Sequence, residues 1–235
     1  MDVERFVNDL LDRIAATTPP DRTILLVCAA VALAALLVRE VSALTRHLVT
    51  LMHEGGHAFV AIAAGRSLHG IRLHSDASGV SVSRGRPSGA GMVATLFAGY
   101  VTPGLVGLAG AYAVPNGWSN AYLWGVVLLC AAILLQIRNL HGLWVVLAFG
   151  VGLGLITWFG TDLVRSTVAG TLAWFLLLSG PWGMVGLWKA RRRDRSRTDV
   201  DQLAAITPVP AVIWWTLMLL VTVATGVVGG LRLTA

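Results

Sequence analysis

The sequence predicts an all-α polytopic membrane protein of about six to seven transmembrane helices, with a small membrane-associated β-hairpin. Three observations carry this reading. The chain of 235 residues is 56% hydrophobic and only 13% charged, and its mean hydropathy is +0.73; soluble domains rarely carry so few charges. Several apolar runs approach or exceed the ~20 residues that cross a ~30 Å hydrocarbon core. The polar interval GRSLHGIRLHSDASGVSVSRGRPSG alternates apolar and polar residues, as half-buried strands do.

The elements follow in order. Residues 1–20 read as an N-terminal amphipathic helix lying on the membrane surface. Val3, Phe6, Val7, Leu10, Leu11 and Ile14 share one helical face, and Pro19-Pro20 end it. It is not a signal peptide, because it opens with acids and lacks a nearby apolar core. Residues 21–235 read as a single transmembrane domain. Candidate spans are 23–38, 41–64, 90–114, 121–137, 143–159, 163–188 and 211–231. The hairpin occupies 66–86, with SDAS as its turn. Cys28 and Cys130 lie in apolar runs and read as small buried residues, not a disulfide.

Basic residues set the orientation. Six of the 18 Lys and Arg fall in KARRRDRSR, within a loop at 189–210. The hairpin interval holds Arg66, Arg72, Arg84 and Arg86, RNLHG holds Arg138, and PNGWSN holds none. The positive-inside rule makes the basic loops cytoplasmic. Seven spans then put the N-terminus on that side and the C-terminus outside. The net charge of +6 is accounted for by these loops, so the partner it implies is the lipid bilayer and not nucleic acid.

The chemistry concentrates in LVTLMHEGGHAFVAIAAG. Polar groups inside a membrane are costly and mark function. His53 and His57 are four apart, so on a helix they share a face and can hold one Zn²⁺. Glu54 is offset by about 100° and can serve as the general base toward water. The chain has 6 His and 3 Glu; a shuffled chain of this composition contains H-E-x-x-H roughly 0.2% of the time, so the motif is specific. Gly55 and Gly56 let another backbone approach.

A catalytic zinc keeps three protein ligands and an open position. His141 in RNLHG is the first candidate for the third ligand. Asp199 and Asp201 in TDVDQL are alternatives, although early acids after a threonine also read as a helix start. His69, His74 and Asp76 of the hairpin are further alternatives. Asn139 is a candidate amide donor to a substrate carbonyl or developing oxyanion.

HEGGH in a span, a hairpin after it, LFAGYVTPG, RNLHG and the late TDVDQLAAITPVPAVIWW together resemble the site-2 protease class of intramembrane metalloproteases, peptidase family M50, in its M50B-like bacterial branch. The resemblance covers roughly residues 45–220 and implies a zinc metalloendopeptidase with His53 and His57 as ligands and Glu54 as base. Such proteases usually take the third ligand from an L-D-G segment, and here LHG stands at Leu140 to Gly142. The resemblance also implies a single-span membrane protein substrate that enters as an unwound strand beside the hairpin. The expected activity is peptide hydrolysis near the cytoplasmic face of a bacterial plasma membrane. The rival readings are a non-proteolytic scaffold or chaperone on the same fold, and a metal transporter; the almost purely apolar outer halves of the spans argue against the last.

Overall fold

The computed structural model describes residues 17–192 and 198–235. The amphipathic helix expected over 1–20 therefore lies, except for Thr17 to Pro20, outside the described residues, as do Arg193 to Arg197 of the basic run.

An uninterrupted apolar run builds α1 (Arg22–Leu37). Val38 is extended, with φ −75° and ψ 116°, and the chain restarts as α2 (Arg39–Ala63), bent by 98° from α1. The break falls where the apolar run meets Arg39-Glu40, and Glu40 occupies the first turn of α2, where the helix dipole favours an acid. Strands β1 (Ser67–Leu73) and β2 (Gly79–Arg84) follow. Then come α3 (Ala90–Ala113), extended by a 3₁₀ turn at Val114–Asn116, and α4 (Ser119–Leu134). The chain continues through α5 (Leu140–Phe159), α6 (Asp162–Arg191), α7 (Asp199–Ile206) and α8 (Ala211–Thr234).

Each of the seven apolar segments expected from the sequence is helical. By length and composition four of these helices can cross a membrane: α3 with its 3₁₀ turn, α5, α6 and α8; α1 and α2 make a fifth if the bent pair is one span. Helix α4 has 16 residues and rises only ~24 Å. The fold is that of an all-α polytopic membrane protein. Exposed Val27 and Val31 on α1, Leu155 and Phe159 on α5, and Leu220 and Leu231 on α8 suit a lipid-facing perimeter.

Helix α6 forms the centre, packed against α1, α3, α4 and α8. Its Ala173 and Leu177 are fully enclosed. A Cβ on Gly107 would stand 2.8 Å from the Leu177 nitrogen and 2.9 Å from the Ala173 oxygen. The glycine therefore lets the α3 and α6 backbones touch, the usual way membrane helices gain contact. A second apolar cluster, with Leu96, Met184, Leu187, Val200, Leu203 and Met218, ties α7 to α3, α6 and α8. Cys28 and Cys130 are buried and unpaired, as expected.

The two ends of the described residues both lie near the turn after α3. Thr17 donates its amide and its hydroxyl to the Gly117 carbonyl, at 2.6 and 2.9 Å. The first described residue therefore sits at the turn after α3, not with the basic loops. Arg232 near the end of α8 lies 4.9 Å over the Tyr112 ring, at the same end of the bundle. Seven spans would place Thr17 with the basic loops, whereas α1 and α2 counted as one bent span place it with Gly117.

The hairpin is antiparallel, with a bulge between Leu68 and Gly70. Its turn is closed by Asp76 Oδ1, which accepts from the Ser78 nitrogen at 2.9 Å and the Ser78 hydroxyl at 2.6 Å. These bonds hold the Asp76 carboxyl below the usual carboxylate range. The outer edge of β1 is taken: Ile71 donates to the Gln136 carbonyl and accepts from the Arg138 nitrogen. Asn139 extends this clip, its amide donating to the Leu73 carbonyl at 2.6 Å and accepting from the Leu73 nitrogen at 3.2 Å. We expect Asn139→Ala to cost about 1–3 kcal/mol of stability and to speed hydrogen exchange at the Leu73 amide, measured in detergent micelles by mass spectrometry.

Candidate metal centre

The helical spacing of HEGGH puts His53 and His57 one turn apart on α2, and their rings meet edge to face with centroids 4.5 Å apart. Their Nε2 atoms are 3.0 Å apart. Asp199 Oδ2 lies 3.3 Å from each of them. These three donor atoms form a group that can hold a metal ion. Two imidazoles and one carboxylate, with room for a further ligand, match a catalytic zinc set.

The surroundings fix each donor. His57 Nδ1 lies 2.7 Å from the Thr95 carbonyl. A carbonyl can only accept, so Nδ1 carries the proton and Nε2 is the metal-facing nitrogen. Gly99 makes room for both rings: a Cβ there would stand 2.5 Å from His57 Nε2 and 2.7 Å from His53 Cε1. Tyr100 packs edge-on against His53, centroids 4.6 Å apart.

Asp199 is the first residue of α7. Thr198 caps that helix, its hydroxyl accepting from the Asp201 nitrogen at 3.4 Å and donating to Asp201 Oδ2. Arg191 Nε donates to Asp201 Oδ1 at 2.8 Å. Val200 and Leu203 anchor α7 in the second apolar cluster. Burial alone would raise the Asp199 carboxyl, but the charges and hydrogen bonds of His57 and His53 outweigh it and hold the group well below the usual carboxylate range.

Glu54 is almost fully buried. Its Oε2 has no hydrogen-bond partner among the described residues. Strand β2 lies against it: a Cβ on Gly79 would stand 2.7 Å from Glu54 Cγ, and the Ser81 hydroxyl donates to the Glu54 carbonyl at 3.1 Å. Glu54, the imidazoles and Asp199 line a cavity of about 580 Å³. An unpartnered buried carboxylate oxygen is costly and fits a site that takes a further ligand, which is the structural test the metal group passes.

A family model described as Peptidase M50B-like matches residues 26–229. The chain belongs to that family. No curated protein and no solved structure matches it. M50 peptidases are zinc metallopeptidases, and the donor set of this M50B-like chain is consistent with them.

The structure places several of the sequence candidates away from the donor group. His141 does not join the imidazole pair. Its ring faces His47 at a centroid distance of 5.2 Å, because the Asn139–Leu73 clip ties this segment to the hairpin. Asp201 is committed to Arg191 and Thr198, which leaves Asp199 as the carboxylate of the group. Asn139, expected near a substrate carbonyl, is bonded to Leu73 and does not line the cavity. The hairpin residues do not join either: His69 Nδ1 lies 3.2 Å from the Ser67 carbonyl, and His74 and Asp76 belong to the turn. Sequence reasoning missed Thr95, Tyr100 and the Arg191–Asp201 pair. Only Tyr100 had a signal, its place in LFAGYVTPG.

Titration with Co²⁺, followed by visible absorption, should show affinity falling more than ~100-fold in His57→Ala and Asp199→Ala, and by ~10–100-fold in Arg191→Ala, which loses only the support of α7. His141→Ala should bind Co²⁺ as the wild type does.

Proposed function

We propose that this chain is a zinc-dependent intramembrane endopeptidase that cleaves single-span membrane proteins near the cytoplasmic face of a bacterial plasma membrane. His53, His57 and Asp199 would hold one Zn²⁺ and Glu54 would be the general base. The observation that carries this reading is the buried, unpartnered Glu54 oxygen in the cavity shared with the three convergent donors. Zinc bound there supplies Lewis acidity and makes water nucleophilic near neutral pH. Glu54 takes the proton of the attacking water and returns it to the leaving nitrogen.

The hairpin suits a substrate that has left its helix. Ile71 and Leu73 direct their N–H groups away from β2, to Gln136 and Asn139. By the alternation of an antiparallel ladder, Val80 and Val82 then face β1, and the backbone groups of Gly79 and Ser81 point to the free edge. Gly79 and Ser81 line the cavity beside Glu54. A helical peptide bond is shielded by its own hydrogen bonds, so an unwound strand needs such an edge in a dry site. The basic residues of the hairpin, Arg138 and the run after α6 support a cytoplasmic position for this end of the bundle. Thr17 and Thr234 would then face the outside.

The test is a comparison of wild type with Glu54→Gln in the native membrane. We expect zinc content near one ion per chain in both. Fragments of single-span proteins, read by terminal-peptide mass spectrometry, should fall by ~10²–10⁴ in the variant. Cleavage that persists in Glu54→Gln sinks the proposal, and a cellular phenotype that needs zinc but not Glu54 assigns a scaffold instead.

A further inference from the structure

We propose that the Tyr100 hydroxyl donates the hydrogen bond that stabilises the oxyanion formed beside Glu54. This rests on the hydrolytic reading above and assigns a further catalytic residue within it. The role is open, because Asn139 is bonded to Leu73 in both directions and does not line this cavity.

Several observations point to Tyr100. Its ring stands edge-on to His53, with an interplanar angle of 80°. It lines the cavity that holds Glu54, His57 and Asp199. Most other hydroxyls lining the cavity donate within the fold, while that of Ser83, out on β2, accepts from Arg66 at 3.0 Å. Thr50 donates to the Ala77 carbonyl, Ser81 to Glu54, Thr95 to Gly91 and Ser179 to Leu176, at 2.7 to 3.1 Å. Thr198 donates to Asp201. The Tyr100 hydroxyl has no hydrogen bond among the described residues, so its proton is available.

The step balances without a co-reactant. As the water oxygen bonds to the carbonyl carbon, Glu54 takes the water proton and the C=O π pair moves onto the carbonyl oxygen. Tyr100 donates a hydrogen bond to that oxygen and keeps its own proton. When the C–N bond breaks, the pair returns to C=O and Glu54 delivers its proton to the nitrogen. A donor aimed at developing charge in a water-poor site is worth ~10²–10³ in rate.

Tyr100→Phe removes the O–H and keeps the ring on His53. Zinc-loaded wild type and variant, in detergent, would be titrated with a phosphinic pseudopeptide, whose tetrahedral anion stands in for the oxyanion. We expect the variant to bind it ~10²-fold more weakly, with Co²⁺ affinity and unfolding temperature unchanged. On a protein trapped by Glu54→Gln, kcat should fall by ~10²–10³ with little change in KM. Equal phosphinate affinity in the two proteins overturns the assignment. So does a parallel loss of Co²⁺ affinity, which would make Tyr100 a support for His53. Absence of cleavage by the wild type overturns the hydrolytic reading instead, and the phosphinate comparison still decides Tyr100.

Discussion

The contact between Asp199 and the two imidazoles of α2 is the constraint around which the bundle is arranged. The histidines come from one helix and the carboxylate from another, far along the chain. Bringing them within 3.3 Å requires α2, α3 and α7 to meet at one level. Gly99 removes the side chain that would occupy the meeting point. The Thr95 carbonyl turns the His57 ring so that its free nitrogen faces inward. The Arg191–Asp201 pair and the Thr198 cap fix the start of α7, while Val200 and Leu203 hold its apolar side in the second core. None of these contacts is strong alone. An ion pair such as Arg191–Asp201, only partly sheltered, is worth little as a source of stability. Its value is positional, since it decides which way the first turn of α7 faces.

How much of this was legible in the sequence depends on the range of the interaction. HEGGH is local: helical periodicity alone puts both histidines on one face, and the structure keeps them there. The hairpin was legible for the same reason, since alternation and an Asx-type turn are short-range signals. The third member of the donor group is a tertiary choice. His141 had the better ligand chemistry, yet its segment is drawn to β1 through Asn139 and its ring is left beside His47. Asp199 and Asp201 look alike in TDVDQL, but two residues on a helix are separated by about 200°. One of them therefore turns back to the cap and Arg191 while the other faces the histidines. Nothing in the hexapeptide says which.

The number of crossings was legible only in part for a related reason. Hydropathy counts apolar segments, and 23–38 and 41–64 are two by that measure. The bend of 98° at Val38 lets them count as one span or as two, and that count decides the side to which every earlier segment is assigned. Charge asymmetry in the loops does not depend on that count, and Thr17 lies beside Gly117, in a turn that carries no basic residue.

Strand β2 links the donor group to whatever occupies the cavity. Gly79 permits the strand to lie directly on Glu54, closer than any residue with a side chain could come. The Ser81 and Thr50 hydroxyls, bonded to Glu54 and Ala77, tie the hairpin to α2 on both sides of that contact. This arrangement keeps the carboxylate out of bulk water while leaving a strand edge open beside it. A buried base with an unpartnered oxygen is unstable in isolation and useful only if its partner arrives with the reactants. The hairpin therefore does two things with one set of contacts. It shields Glu54, and on the proposed hydrolytic reading it offers the backbone edge along which a peptide bond is laid at the oxygen that is still unpaired.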